Sequence, residues 1–348
     1  MQILNYSEID QAEWSRLVET NTTGTWFQTP EAYGFYESLP DLFRPFVVAV
    51  KNEEVSDKSQ LLRGICVGYV TLEKSALKQF LTRRAIIIGG SCLADDCTDE
   101  EVTALMTAVR QQLVNGNRSL VNSPIYIETR NFNSYEKWKE AFAKAGFRYE
   151  PHLNFHVHTD QAWQEIEENI GKHHKKYIRL SFRDGATIEE NPTIEQVRAY
   201  YDILSDLYKT KVKLPLQPWE FFEKLYHCPG CKYLLVLYEG EVVGGSVCMQ
   251  LPGHGVYEWY ACGKDGVYKN IHPSSLTKYA GMKYACDNGY AVFDMMGAGK
   301  PDEEYGVRDF KAEFGGELVE HGRFLCVMKP ILYQIGKLGV WLLKRVRR

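Results

Sequence analysis

The chain has 348 residues, 45% of them hydrophobic, which is enough apolar material for two ordinary cores; its formal net charge of −4 excludes a protein that binds polyanions by bulk charge. No stretch reaches the roughly 18 apolar residues of a membrane span, and the amino terminus MQILNYSEIDQAEW lacks a basic region followed by an apolar run, so a cytoplasmic chain is expected. Nine cysteines, an odd number and several inside strand-like runs such as GICVGYV, favour reduced thiols.

Two helical segments, YSEIDQAEWSRLVET and PEAYGFYESL, come first. FVVAVKN and LLRGICVGYVTL follow, β-branched runs split by the polar EEVSDKSQ, which predicts a hairpin. The chain then reads as strand RAIIIGG, amphipathic helix DEEVTALMTAVRQQLVNG, strand PIYIETRN, short helix SYEKWKEAFAKAGF and strand LNFHVHTD. After three more helices the order returns. The hairpin KYLLVLYEGEVVGGSVCMQL leads to strand GVYEWYACG, helix SSLTKYAGMKYACDNG, strand YAVFDMMG, short helix VRDFKAEFGG and strand GRFLCVMK. The recurring β-β-β-α-β-α-β order predicts two α/β halves, residues 1–160 and 161–328, each a mixed sheet flanked by helices. The pair Cys228 and Cys231 in HCPGC has metal or redox spacing, but no second Cys/His pair follows at a suitable distance, and Pro-Gly between a helix and a strand predicts a plain turn with no metal.

The tail, residues 329–348, carries six basic and no acidic residues, and Ile331, Ile335, Leu338, Leu342 and Val346 form one helical stripe opposite Lys337, Lys344 and Arg348. A basic amphipathic helix lying on an anionic bilayer, with Trp341 at the interface, has this pattern; a terminal helix docked on the protein's own core is the alternative.

The order of segments is that of the GNAT acyltransferase fold, used twice. An acyl-CoA enzyme of that fold needs a glycine-rich loop at the start of the central helix to bind pyrophosphate. Here those places hold the acidic GGSCLADDCTDEE and GKDGVYKNIHPSS, so coenzyme A is disfavoured and no cofactor is expected. The segments FQTPEAYGFY, IETRNF, GFRYEPHLNFHVHTD, KHHKKYIRLSFRDGATIEE, HPSSLTKYAGMKYACDNGYAVFDMMG and DFKAEFGGE, in that order, resemble the FemAB family of non-ribosomal peptidyltransferases with two GNAT-like halves. The resemblance implies transfer of an amino acid from aminoacyl-tRNA to a peptidoglycan precursor, nucleotide-linked or lipid-linked, and the basic tail adds a peripheral place on the inner face of the plasma membrane as an expectation. It carries an active-site role to Phe310 and Lys311 and matches Asp294 to the acid that ends the preceding strand. It also matches the basic run Lys172, Lys175, Lys176, Arg179 and Arg183 to a segment facing anionic substrate, with Ile178 and Leu180 inward. One departure stands out: Tyr33, Phe35 and Tyr36 occupy a region where members that take a nucleotide-linked muropeptide often carry a basic residue.

An aminoacyl ester is already activated, so the enzyme's tasks are orientation, oxyanion stabilisation and handling of one proton. On this reading Lys311 donates to the tRNA ribose or the oxyanion, Asp294 orients the acceptor amine or Lys311, and Tyr257, Trp259 and Tyr305 line the cleft. Lys311→Ala is then expected to abolish transfer and leave the fold intact. The plain alternative makes Asp294 a loop cap, Lys311 a surface lysine and the basic run a solvated face. At the level of function, an N- or O-acyltransferase on a surface polysaccharide or lipid precursor, and a non-enzymatic membrane or RNA-binding module, are the rivals.

Overall fold

The computed structural model describes residues 1–54, 61–115 and 123–346, with no side chain at 115 or from 339 onward. It divides into two compact units, residues 1–151 with 321–348 and residues 152–320. The first unit begins with β1 (Gln2–Asn5), α1 (Gln11–Thr20), α2 (Pro30–Glu37) and the hairpin β2 (Phe43–Lys51) and β3 (Leu62–Thr71). It continues through α3 (Ala76–Thr82), β4 (Ala85–Gly89), β5 (Cys92–Leu93), α4 (Asp99–Asn115), β6 (Tyr126–Asn131), α5 (Lys139–Lys144) and β7 (Arg148–Glu150).

Local chemistry sets the helix starts: Asp10 accepts from Glu13 N ahead of α1, and Thr29 accepts from Ala32 N ahead of α2, with Pro30 in the first helical position. The segment FQTPEAYGFY is structural in this unit. Gln28 is fully buried; its Nε2 donates to the carbonyls of Val67 and Ile88 and its Oε1 accepts from Val67 N, so one side chain satisfies both β3 and β4. Tyr33, Phe35 and Tyr36 are core residues, which accounts for aromatics at those positions.

The second unit contains β8 (Leu153–His158), α6 (Trp163–Asn169), α7 (Lys172–Arg183), β9 (Thr187–Glu189), α8 (Ile194–Leu207) and α9 (Trp219–Tyr226). Then come β10 (Cys231–Tyr238), β11 (Glu241–Leu251), β12 (Gly255–Gly263), α10 (Pro273–Asp287), β13 (Val292–Gly297), α11 (Gly306–Ala312) and β14 (Glu317–Glu320). The chain returns to the first unit as β15 (Arg323–Val327) and α12 (Pro330–Val346).

The first sheet has the order β1-β2-β3-β4-β6-β15-β7 with β5 on β3, and the second has the order β14-β8-β13-β12-β11-β10-β9. The two closing strands are therefore exchanged. LNFHVHTD, expected to close the first half, is β8 of the second sheet, and GRFLCVMK, expected to close the second, is β15 between β6 and β7. Apolar alternation fixes which face a strand buries but not which sheet it joins, so the pattern cannot reveal the exchange. The unit boundaries fall at 151/152 and 320/321 rather than at 160 and 328.

α10 is buried on nearly every side, including Thr277 and Lys278, rather than along a single face. It can lie against β13 because Gly281 has no side chain: a Cβ there would come within 2.3 Å of the Phe293 ring. The HCPGC segment is a turn from α9 to β10, with Cys231 N donating to Cys228 O at 3.1 Å and Gly230 at φ +80°. Among the described residues no helix is long and apolar enough to cross a membrane.

Candidate active site

The second sheet opens between β12 and β13. They pair in parallel at Gly255↔Val292, Val256↔Phe293 and Tyr257↔Asp294, after which β12 stays with β11 to Gly263 and β13 follows β8. Two irregularities lie at the parting. Cys248 pairs with Glu258 but Val247 with Tyr260, so Trp259 is the extra residue of a β-bulge. On β13, Met296 has φ +64°, the left-handed region that non-glycine residues rarely adopt.

Asp294 and Lys311 hold this left-handed turn from its two polar sides. The Asp294 carboxylate accepts from Met296 N at 2.6 Å, and the Lys311 ammonium donates to the carbonyls of Met295 (2.5 Å), Met296 (3.2 Å) and Gly297 (2.9 Å). Both side chains are buried, at 1% and 6% exposure, so Lys311 is not a surface residue. Burial, with a contribution from the nearby Lys278 ammonium, pulls the Lys311 pKa down to about 8 against the attraction of Glu258 and Asp294. Because the lysine ties the turn together, an intact fold is no longer expected of Lys311→Ala.

Four residues not singled out from the sequence complete the constellation. Asp294 also accepts from Asn154 Nδ2 and pairs with His156 Nε2, both at 3.3 Å, from the adjacent strand β8. Burial acts against the charged imidazole, but the Asp294 carboxylate prevails and raises the His156 pKa above its ordinary value. On the β12 side, buried Glu258 binds the ammonium of buried Lys278 through Oε2, while its other oxygen, Oε1, has no hydrogen-bond partner among the described residues. Signals for these residues are present in the sequence: LNFHVHTD alternates polar Asn154, His156 and His158 with apolar residues, and GVYEWYACG and LTKYAGM each carry one charge inside an apolar run.

The remaining candidates surround this centre unequally. Tyr257 is buried at the last parallel pair, opposite Asp294. Trp259, half-buried at the bulge, stacks on Tyr260 with 5.9 Å between centroids. Tyr305 is exposed beside Gly299 and acts on the Tyr208 hydroxyl, whose pKa is raised first by burial and then by Tyr305. Phe310 is half-buried and packs on the His174 ring (5.4 Å) and on Phe314 (5.1 Å).

α7 turns His174, Tyr177, Ile178 and Ser181 toward its neighbours; Ser181 is the buried partner of Ile178, and Leu180 is only half-buried. Lys172, Lys176 and Arg179 are exposed and form no ion pair among the described residues. Lys175 donates to Glu168 O at 2.9 Å, and Arg183 is neutralised by Asp184 at 2.7 Å, which leaves three of the five basic residues open.

The end of β12 approaches the start of α10 so closely that a Cβ on Gly263 would lie 2.7 Å from Ser274 N. Asp265 already occupies that helix terminus, its carboxylate accepting from Ser274 N at 3.2 Å and from the Ser274 hydroxyl.

Residues 169–311 match the model of the family described as an acetyltransferase (GNAT) domain. Among solved structures, FemX matches with a TM-score of 0.71 at 14% identity over 96% of this chain and 99% of that one. L-PGS from Bacillus licheniformis gives 0.56 at 13% over 94% and 96%, and a tandem GNAT protein from the clavulanic acid biosynthesis pathway gives 0.53 at 10% over 93% and 96%. No curated protein matches the sequence significantly. The chain has the FemX-like tandem GNAT fold, a mixed α/β architecture, and its second unit carries an acyltransferase domain of the GNAT kind.

Proposed function

We propose that the protein is an aminoacyltransferase that moves an amino acid from aminoacyl-tRNA to the amine of a peptidoglycan precursor, with its reacting centre where β12 and β13 part. One observation favours this donor over an acyl-CoA: the Asp265 carboxylate occupies the α10 terminus at which an acyl-CoA enzyme would bind pyrophosphate, and two anions compete for that place. The exposed Lys172, Lys176 and Arg179 supply cationic contacts suited to tRNA phosphate.

In the reaction the acceptor nitrogen attacks the ester carbonyl, a C–N bond forms, the C–O bond to the ribose breaks and the ribose oxygen leaves with a proton. His156, made more basic by Asp294, takes the proton the nitrogen loses, and Asp294 holds the imidazole in place. The Lys311 ammonium sets the Met295–Gly297 turn and places positive charge in a dry region beside the developing oxyanion. Trp259 and Tyr305 flank the donor's aminoacyl group, and Phe310 holds α11 against His174 of α7.

Incubating the protein with charged tRNA pools, or with a panel of acyl-CoAs, and with nucleotide-linked and lipid-linked precursors tests the donor by the mass added to the acceptor. An aminoacyl increment from tRNA is expected. An acyl increment from a CoA thioester alone would replace this reading with that of an N- or O-acyltransferase. The tail residues 329–348 supply a peripheral contact with the inner membrane surface, which suits a lipid-linked acceptor: the described part of the stripe, Ile331, Ile335 and Leu338, is exposed at 78%, 54% and 57%. Trp341, Leu342, Lys344, Val346 and Arg348 lie outside the residues whose side chains are described.

A further inference from the structure

α3 is built inside out. Its buried residue is Gln79, whose Nε2 donates to Thr71 O at 3.2 Å and whose Oε1 accepts from Glu73 N, while Leu77, Phe80 and Leu81 are 69%, 40% and 43% exposed. The hydrogen bonds of Gln79 fix that orientation, so the apolar side chains at i, i+3 and i+4 are held toward solvent. α3 also touches α12. α12 leans inward through half-buried Leu332 and Tyr333, the latter edge-on to Tyr126 at 5.5 Å between centroids, and turns Ile331, Ile335 and Leu338 outward.

Charge follows the same two segments. Residues 73–84 and 329–348 together contain ten basic residues and one acidic residue in a chain whose net charge is −4. Lys74, Lys78 and Arg84 are exposed around α3, and Lys337 is exposed on α12. Exposed leucine, isoleucine and phenylalanine rimmed by lysine and arginine match an acyl-chain boundary beneath anionic headgroups. A soluble polyanion would find the charge but no partner for the apolar side chains.

We propose that α3 and α12 form one docking surface for an anionic lipid bilayer, with Leu77, Phe80 and Leu81 entering the interface together with Ile331, Ile335 and Leu338. The proposal rests on the membrane contact assigned above to residues 329–348, and adds α3 as a second, independent half of it. Two attachments on one rigid face bind cooperatively, so losing either weakens both.

The test is sedimentation of the full chain with vesicles of phosphatidylcholine alone or with 30% phosphatidylglycerol. It compares the chain as it stands, L77S/F80S/L81S, I331S/I335S/L338S and a chain lacking residues 329–348. Binding to the anionic vesicles is expected to fall at least about tenfold in each triple variant and to weaken with salt. All six substituted residues are exposed, so the circular dichroism of both triple variants should match that of the parent; the conservative L77I/F80L/L81I should keep its binding.

Undiminished binding in L77S/F80S/L81S, with loss on deleting 329–348, would overturn the role of α3 and leave the tail contact standing. Undiminished binding without the tail would overturn both. Loss of tRNA binding or of self-association in the α3 variant, with vesicle binding unchanged, would assign the patch to those partners and also overturn the proposal.

Discussion

Removing the Lys311 ammonium strips the carbonyls of Met295, Met296 and Gly297 of a shared donor inside the fold. Lys311→Met is therefore expected to cost about 1–3 kcal/mol in urea unfolding, besides slowing transfer. An unchanged midpoint would mean that water replaces the lysine and that the turn does not depend on it. Lys278 presents a sharper case, because it neutralises a carboxylate with one oxygen already unpartnered. Lys278→Met should destabilise by about 3–5 kcal/mol, and the double variant Glu258→Gln/Lys278→Met should recover most of the loss; equal losses would remove the pair's coupling. The raised pKa of His156 has a definite sign: its pairing with Asp294 adds stability in full below the unfolded value of about 6.5, and that contribution is lost as pH rises through the folded value. Comparing urea midpoints on either side of neutrality should show this slope in the parent and its absence in His156→Gln. The sequence made Asp294, Phe310 and Lys311 visible through a family likeness, but not their environment, since nothing in DFKAEFGG says that the lysine points into the fold. Asn154 and His156 were legible as a polar strand face without a partner, because the pairing that gives them Asp294 comes from the strand exchange.

Strand exchange also decides which fragments can fold. β15 fills the place between β6 and β7, so residues 1–160 lack an interior strand of their sheet and should remain unfolded or aggregate. Residues 152–320 contain every strand of the second sheet and should fold cooperatively alone; circular dichroism and thermal melts of the two fragments check both statements, and a cooperative melt of 1–160 would contradict the first. Hairpins β2–β3 and β10–β11, helices α4 and α10 and strands β6 and β13 were legible because each is long enough to express its period. Strands β1, β5, β7, β9 and β14 span two to four residues, too few to show alternation. α3 was missed for another reason: its apolar residues face outward and its buried residue is polar, so the usual amphipathic rule gives no warning of what that helix serves.

On the proposed function, charge is divided between two tasks across the chain. The overall balance is acidic, yet exposed cations gather on α7 in the second unit and on α3 and α12 in the first, suited respectively to a phosphodiester donor and to a lipid surface. The buried charges Asp294, Lys311, Glu258 and Lys278 are kept apart from these and set around a bulge and a left-handed residue, where the proposed reacting centre lies. The most direct test of that centre is single-turnover transfer of a labelled amino acid from tRNA, comparing the parent chain with His156→Gln at matched thermal stability. Transfer slowed at least about a hundredfold in the variant is the expected result, and an unaltered rate constant would contradict the placement of proton transfer between β8 and β13.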